Sequence, residues 1–291
     1  MAILDDLKMQ YRMGGFEQKI IYWNIGCFLL SIVFFYQFRL GFFDFPNWIA
    51  LSSVPQNLLY KPWTLLTYSF FHAGFFHLLF NMVVLNFSGR LFLTFFSQKQ
   101  FLGLYILSAI FSGAAFVVGY YFLGKTSAIV GASGAIMAVL AAAATYAPNM
   151  NLRLLLIGNV KLWQIAAVVI ILDLLQIFVE NTGGHIAHLA GAFFGFIFIK
   201  LLQSGTDLST GVSVIIDGIA NLGFPKNKTQ FRKVHRNYNP PPKQRTEKSL
   251  SRIVTKDKTQ QQIDEILDKI SRSGYDSLTK EEKEFLFKAG K

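Results

Sequence analysis

The sequence predicts an all-α, polytopic membrane protein: a bundle of six transmembrane helices with a long first loop and a small helical C-terminal module. Composition is the first indication, because 52% of the 291 residues are hydrophobic and 15% are charged, whereas soluble chains average about 25% charged residues. The second indication is a set of six apolar runs that approach the roughly 20 residues a helix needs to cross a bilayer. These runs are residues 20–38, 74–96, 100–124, 126–147, 160–178 and 181–199.

The first run is expected to stay in the mature protein. The residues before it, MAILDDLKMQYRMGG, are polar and do not resemble a cleavable signal. The connection that follows, residues 39–73, is too long for a simple tether and contains Trp48 and Trp63. Because tryptophan is enriched at the membrane–water interface, we expect this loop to lie in or on the outer leaflet.

Basic residues indicate how the bundle is oriented. With six spans both termini lie on one side, and cytoplasmic loops carry the excess of Lys and Arg. Eight basic residues fall on the side of the termini and three on the other. The eight are Lys8, Arg12, Lys19, Arg90, Lys99, Arg153, Lys161 and Lys200, and the three are Arg39, Lys61 and Lys125. We therefore expect both termini to be cytoplasmic.

The C-terminal part of the chain is polar and basic. Residues 205–291 hold 17 Lys and Arg against 11 Asp and Glu, whereas residues 1–204 hold 11 against 6. The Pro-rich basic run 226–245 is interpreted first as a disordered, solvated tether, second as a membrane-surface contact, and only distantly as a nucleic-acid contact. Apolar residues at helical spacing over 263–270, a stop at Gly274 and a capping box of Thr279 and Glu282 then predict two helices.

Four regions follow from these patterns. Residues 1–15 form an N-terminal cytoplasmic segment, and residues 16–203 form the six-helix membrane domain. Residues 204–247 form an interfacial and disordered basic linker, and residues 248–291 form a helical module that could recruit a cytoplasmic partner.

Polar residues inside membrane spans are costly and therefore indicate function. His77 and Asn81 are four residues apart, on one face of the second span. Ser133 opens the fourth span, and His188 lies near the start of the sixth. Because spans two, four and six all run inward, Asn81, Ser133 and His188 are predicted to lie at one depth, within about 10 Å of the outer interface.

These residues suit nucleophilic catalysis. A serine hydroxyl needs a base to take its proton, and a neutral imidazole such as that of His188 is suited to this near pH 7. The negative charge that develops on an attacked carbonyl oxygen needs hydrogen-bond donors. The Ser133 backbone N–H, the Asn81 amide and the His77 ring can supply them. The set is sufficient for acyl transfer with no metal and no cofactor.

Four glycines beside these residues are interpreted as helix-packing positions. Gly131 and Gly134 keep the fourth helix thin. Gly191 and Gly195 form the small-xxx-small pattern that lets membrane helices approach closely.

Three motifs occur in order, each opening a span: HAGFFHLLFN, GASGA, and AHLAG followed by FFG. Together they resemble the rhomboid family of intramembrane serine proteases over about residues 15–203. The resemblance implies that Ser133 is the nucleophile, that His188 is the base, and that His77 and Asn81 stabilise the oxyanion, without a metal or a third acid.

The resemblance also implies a location and partners. We expect a multi-pass protein of the bacterial inner membrane that cleaves transmembrane proteins at or near the outer face, with substrates entering laterally past the fifth span. Its partners would be those substrates and membrane lipids, and no nucleic acid is expected.

Several of these residues have a non-catalytic interpretation. Ser133 could ease helix packing in the manner of other small polar residues. His185 is expected to be solvated in a loop or first helical turn, and His72 to tie the long loop to the second span. Asp173 is expected to line a hydrated cavity or stay protonated rather than to complete a triad.

Other protein classes are also weighed against the pattern. A metalloprotease is rejected because no His-Glu-x-x-His motif is present and no acid is expected to accompany the histidines. A channel or transporter would explain buried polar residues but gives no reason for Ser133 at a helix start opposite an imidazole. The alternative that stays open is a catalytically silent rhomboid-like protein that binds or escorts membrane clients.

Overall fold

The computed structural model describes residues 2–154, 158–177, 179, 181–223 and 248–289. The chain divides into two compact units, residues 1–226 and residues 227–291. The predicted basic linker, 226–245, lies outside the described residues.

Helices dominate the first unit. They are α1 (Ala2–Met13), α2 (Phe16–Phe34), α3 (Pro55–Tyr60), α4 (Thr64–Thr67), α5 (Phe75–Leu93), α6 (Gln98–Leu123), α7 (Ser133–Tyr146), α8 (Leu162–Gln176), α9 (Thr182–Gln203) and α10 (Ser209–Gly223). Three short antiparallel pairs join β1 (Tyr36–Gln37) to β2 (Phe42–Phe43), β3 (Leu51–Ser52) to β4 (Ala128–Ile129), and β5 (Asn151–Leu154) to β6 (Gly158–Lys161).

Local signals explain where the long helices begin and end. Ser97 and Gln100 form a capping box at the start of α6, and Gly124 ends this helix in the left-handed conformation, with φ 63°. Asn181 caps α9 by accepting a hydrogen bond from the Gly184 backbone N–H at 3.3 Å.

Three helices of the described chain are long and apolar enough to cross a membrane: α5, α6 and α9. The remaining predicted spans overlap α2, α7 and α8, of which α7 and α8 are shorter apolar helices. With 14 residues, α7 is about 21 Å long, less than the hydrocarbon thickness of about 30 Å. The number of six spans therefore stays a prediction.

The structure agrees with one predicted helix boundary and differs at another. Ser133 is the first residue of α7, as expected, although the apolar run begins at residue 126; residues 128–129 form β4 and pair with the first loop. Gly131 has φ 141°, which ends regular structure just before the helix. The first span, expected to reach residue 38, ends at Phe34, and residues 36–37 pair with 42–43 instead.

Helix α7 is the centre of the bundle. Its residues from Gly134 to Ala144 are all buried, and it packs against α5, α6, α8 and α9. Six of the 14 residues of α7 are alanine, and these small side chains let the neighbouring helices approach closely. Large residues of the surrounding helices, including Leu85, Phe101 and Phe198, complete the core.

The closest helix contact joins α7 and α9. A Cβ atom added at Gly191 would overlap the Gly134 carbonyl oxygen, and one added at Gly195 would overlap the Ala138 carbonyl oxygen. These two backbones therefore touch at two successive turns, which brings the N-terminal ends of both helices together.

In its described residues, the second unit contains two α-helices, α11 (Lys248–Ser273) and α12 (Lys280–Ala289), with a short 3-10 helix, Tyr275–Ser277, between them. Gly274, with φ 78°, ends α11. The predicted capping box is present, since the Thr279 N–H donates to Glu282 at 2.8 Å and the Glu282 N–H donates to the Thr279 hydroxyl at 3.3 Å. The Lys269 ammonium and the Thr279 N–H lower the pKa of Glu282 by hydrogen bonding to its carboxylate. The predicted outer bounds of the module, 248–291, stay a prediction.

We expect Gly191→Ala to destabilise the membrane domain, because its methyl group would collide with the α7 backbone. Overpacking of a core typically costs about 1–3 kcal/mol, so the thermal midpoint of the purified protein in detergent should fall. Gly26→Ala is the matched control: this glycine of α2 has nothing within 4 Å of an added Cβ, and alanine is the better helix former. Equal midpoints for both variants would contradict the assigned contact.

Candidate active site

A cavity of about 350 Å³ lies beside the N-terminus of α7, enclosed by α5, α7, α8 and α9. Its polar lining residues are His77, Asn81, Ser133, Asp173, Gln176 and His188. Its apolar lining residues are Phe80, Val84, Ile136, Met137, Leu140, Val169 and Leu172. A cavity that is mostly apolar and has a few convergent polar groups is the usual form of a ligand or substrate site.

The structure brings Ser133 and His188 into contact. Ser133 is the first residue of α7, and its hydroxyl oxygen lies 2.6 Å from Nε2 of His188 on α9. The Gly134–Gly191 backbone contact lies one residue beyond Ser133 and three beyond His188, so helix packing directly determines this distance. Both side chains are partly exposed and border the cavity.

An acid accompanies the pair. Nδ1 of His188 lies 2.9 Å from Oδ1 of Asp173 on α8. Because a carboxylate only accepts hydrogen bonds, Nδ1 carries the hydrogen and the His188 ring presents its Nε2 lone pair to the Ser133 hydroxyl. The carboxylate thus sets both the orientation and the tautomer of the imidazole.

His185 shares the same carboxylate. Its Nδ1 lies 2.6 Å from Oδ1 of Asp173, and the residue is only 8% exposed. The expectation of a solvated His185 is therefore wrong: the residue sits in the first turn of α9 but faces α8. The expectation that no acid accompanies the histidines is wrong for the same reason, because Asp173 contacts both.

Asp173 partly follows its prediction. It lines the cavity, as expected, and is 7% exposed. However, the sequence interpretation ranked a triad with His188 low, whereas the observed geometry is that of an aligned Ser133, His188 and Asp173. Residue spacing does not specify this contact, since Asp173 precedes His188 by 15 positions on a separate helix.

His77 and Asn81 also line the cavity, on α5. The Asn81 amide donates one hydrogen to the His77 carbonyl oxygen at 2.8 Å, which leaves its second N–H available to a ligand. His72 is fully buried, and its ring packs edge to face on the His77 ring, with the ring centroids 5.0 Å apart. Among the described residues, neither ring nitrogen of His72 has a hydrogen-bond partner.

The sequence interpretation assigns Gly131 to helix packing. In the structure, this residue precedes α7 and lies in the site. A Cβ atom at this position would lie 3.0 Å from Nε2 of His77 and 3.5 Å from the Ser133 hydroxyl oxygen. The residue also has φ 141°, a conformation that glycine adopts readily. The absence of a side chain thus keeps open the space between His77 and Ser133.

Comparison with known proteins agrees with the motif pattern. Residues 60–205 match the Rhomboid domain, which is just over half of the chain. Residues 254–288 match a family of unknown function, DUF6576.

Curated relatives include the mitochondrial presenilin-associated rhomboid-like proteins of Homo sapiens and Mus musculus. Each is 31% identical over 156 residues, which cover 51% of this chain and 39% and 40% of the respective relative. The presenilin-associated rhomboid-like protein A of Danio rerio is 33% identical over 135 residues, covering 45% of this chain and 35% of the relative. The aligned region thus spans about two fifths of the relatives' own length.

Proposed function

Because the chain belongs to the rhomboid family and is an integral membrane protein, we propose that it is an intramembrane serine endopeptidase that cleaves transmembrane proteins. The single observation that carries the proposal is the 2.6 Å contact between the Ser133 hydroxyl and His188 Nε2 beside an apolar cavity. This is the arrangement that an activated serine nucleophile requires.

In the proposed reaction, the Ser133 oxygen attacks the scissile carbonyl carbon while Nε2 of His188 takes the hydroxyl proton. The resulting imidazolium is stabilised by Asp173, whose carboxylate is 2.9 Å from Nδ1. His188 then gives the proton to the leaving amine, and an acyl-enzyme forms on Ser133. A water molecule activated by His188 hydrolyses this ester and restores the serine.

The oxyanion needs donors on the side of the substrate away from His188. We assign this role to the Asn81 amide, the His77 ring and the Ser133 backbone N–H at the start of α7, where the helix dipole adds positive potential. The proximity of His77 Nε2 and the Ser133 hydroxyl to one point beside Gly131 supports this assignment.

The substrate class follows from the cavity walls. Phe80 and Val84 of α5 and Val169 and Leu172 of α8 all line the cavity, which favours an apolar chain entering between these two helices. A transmembrane helix hides its carbonyl groups in hydrogen bonds, so the cleaved segment must unwind. We therefore propose substrates with helix-breaking or small residues near the outer end of a span.

We also propose a bacterial inner-membrane location with cytoplasmic termini and cleavage near the outer face. The excess of basic residues on the termini side supports the orientation. The relatives compared above are mitochondrial by name. The C-terminal unit is proposed to recruit a cytoplasmic partner.

Ser133→Ala should abolish cleavage of a model transmembrane substrate and labelling by a serine-directed phosphonate, because it removes the nucleophile. Both can be measured on purified protein in detergent. Ser204→Ala, at the exposed C-terminal end of α9, is the matched control and should retain both. Absence of labelling in the folded wild-type protein would favour the catalytically silent client-binding alternative.

Asp173→Asn should lower kcat by at least about tenfold with little change in KM, because the imidazolium of the transition state loses its counter-charge. Asp173→Glu should recover part of the rate, and Asp44→Asn, in an exposed loop, should leave it unchanged. A fall in kcat that is accompanied by a fall in the thermal midpoint in Asp173→Asn, with neither restored in Asp173→Glu, would indicate a purely structural role.

Asn81→Ala should reduce kcat by about 10²–10³, the usual effect of losing one oxyanion donor. Asn24→Ala is a close control, because Asn24 of α2 also donates to the carbonyl four residues earlier at 2.8 Å but lies outside the cavity lining. It should affect stability alone. A loss of twofold or less in Asn81→Ala would remove Asn81 from the proposed oxyanion site.

A further inference from the structure

Three potential metal-ligand atoms converge behind the proposed nucleophile. They are Asp173 Oδ1, His185 Nδ1 and His188 Nδ1, and all lie within 4.8 Å of one another. The proposed reaction uses two of these groups and leaves His185 without a role. His185 and His188 are three residues apart on α9, so both rings face α8 from one side of the helix.

We propose that this cluster is an inhibitory site for a divalent transition metal, with Zn²⁺ as the best-matched ion. Imidazole and carboxylate ligands suit Zn²⁺, whereas Ca²⁺ and Mg²⁺ prefer oxygen ligands alone. The metal binding itself is independent of the proposed protease activity, but the inhibition rests on it.

The geometry is close to what zinc requires. Zn²⁺ binds imidazole nitrogen and carboxylate oxygen at about 2.0–2.2 Å, which places tetrahedral ligand atoms about 3.3 Å apart. The two histidine nitrogens now lie 2.6 and 2.9 Å from the carboxylate oxygen. Side-chain adjustments of about an ångström would therefore form a three-ligand site.

The surroundings also favour binding. The hydrogen bonds to Asp173 already hold the three groups together, so little conformational freedom is lost when the metal binds. Asp173 and His188 border the cavity, through which a water molecule can reach the fourth coordination position. Three protein ligands and one open position are a common zinc arrangement.

Occupation of the site would switch off the base. A metal on Nδ1 of His188 needs the lone pair of that nitrogen, so the hydrogen of the neutral ring moves to Nε2. Nε2 would then face the Ser133 hydroxyl as a donor and could not accept its proton. The same metal would withdraw the Asp173 carboxylate from its role as counter-charge.

The test uses the purified full chain in detergent, with ZnCl₂ as the probe. Calorimetry should detect one bound Zn²⁺, and cleavage of a model substrate should fall on addition of Zn²⁺ and return with EDTA. His185→Gln keeps a hydrogen-bond donor toward Asp173 but removes the imidazole ligand. It should raise the Zn²⁺ concentrations for half-saturation and half-inhibition by about tenfold or more, each variant being compared with its own metal-free rate.

Two further variants serve as controls for zinc binding. Asp44→Asn, which removes a carboxylate from an exposed loop, should bind and respond to Zn²⁺ as the wild type does. Asp173→Asn should weaken zinc binding in calorimetry even though its activity is low.

The outcomes separate the proposals. Unchanged zinc binding in His185→Gln, or no binding by the wild type, overturns the site. Binding through His185 without loss of activity overturns the inhibitory role. Binding through His185 in a protein that neither cleaves substrates nor reacts with phosphonates supports the metal site and removes the proposed protease function.

Discussion

The contact between the backbones of α7 and α9 is the constraint on which the site depends. Gly134 and Ala138 present carbonyl oxygens to Gly191 and Gly195, with no room for a Cβ atom on either glycine. In a lipid environment helix association relies on such van der Waals packing, because lipid chains are as apolar as the helices themselves. The Ser133–His188 distance is therefore a direct product of two glycines one turn apart.

Three buried polar side chains elsewhere in the bundle form hydrogen bonds within their own helix. Asn24, Ser31 and Ser88 each donate to the carbonyl oxygen four residues earlier in their own helix, at 2.7–2.8 Å. Such bonds keep a polar group compatible with an apolar interior. The network of Ser133, His188, Asp173 and His185 differs because it joins α7, α8 and α9. This difference marks it as a site rather than a packing feature.

Much of this arrangement could be predicted from the sequence because it depends on local signals. The six apolar runs overlap helices α2 and α5–α9, and the capping box of Thr279 and Glu282 was recognisable from spacing alone. The proposed roles of Ser133 and His188 came from residue type and motif order. The helices and the capping box depend on information within a few residues, whereas the proposed roles also depend on the order of the three motifs.

The contacts that could not be predicted depend on how elements are rotated against each other. Hydropathy indicates that α8 is apolar but does not show which neighbour its Asp173 faces. The contacts of Asp173 with His188 and His185 therefore could not be predicted from it. The segment before α7 could not be assigned for another reason, since a short apolar run is equally consistent with a strand or a helix. Pairing of residues 128–129 with 51–52 decided for the strand.

That pairing fastens the segment before Ser133 to the first loop. Leu51 pairs with Ile129, and the Gly131 N–H donates to the Tyr68 carbonyl oxygen at 2.9 Å. The height of the serine hydroxyl relative to the loop is consequently fixed by hydrogen bonds within the protein and not by the thickness of the surrounding bilayer. In the proposed protease, the position of the cleaved bond in a substrate helix would be set by its distance from the loop, and transfer of the protein to a thicker or thinner membrane would leave that position unchanged.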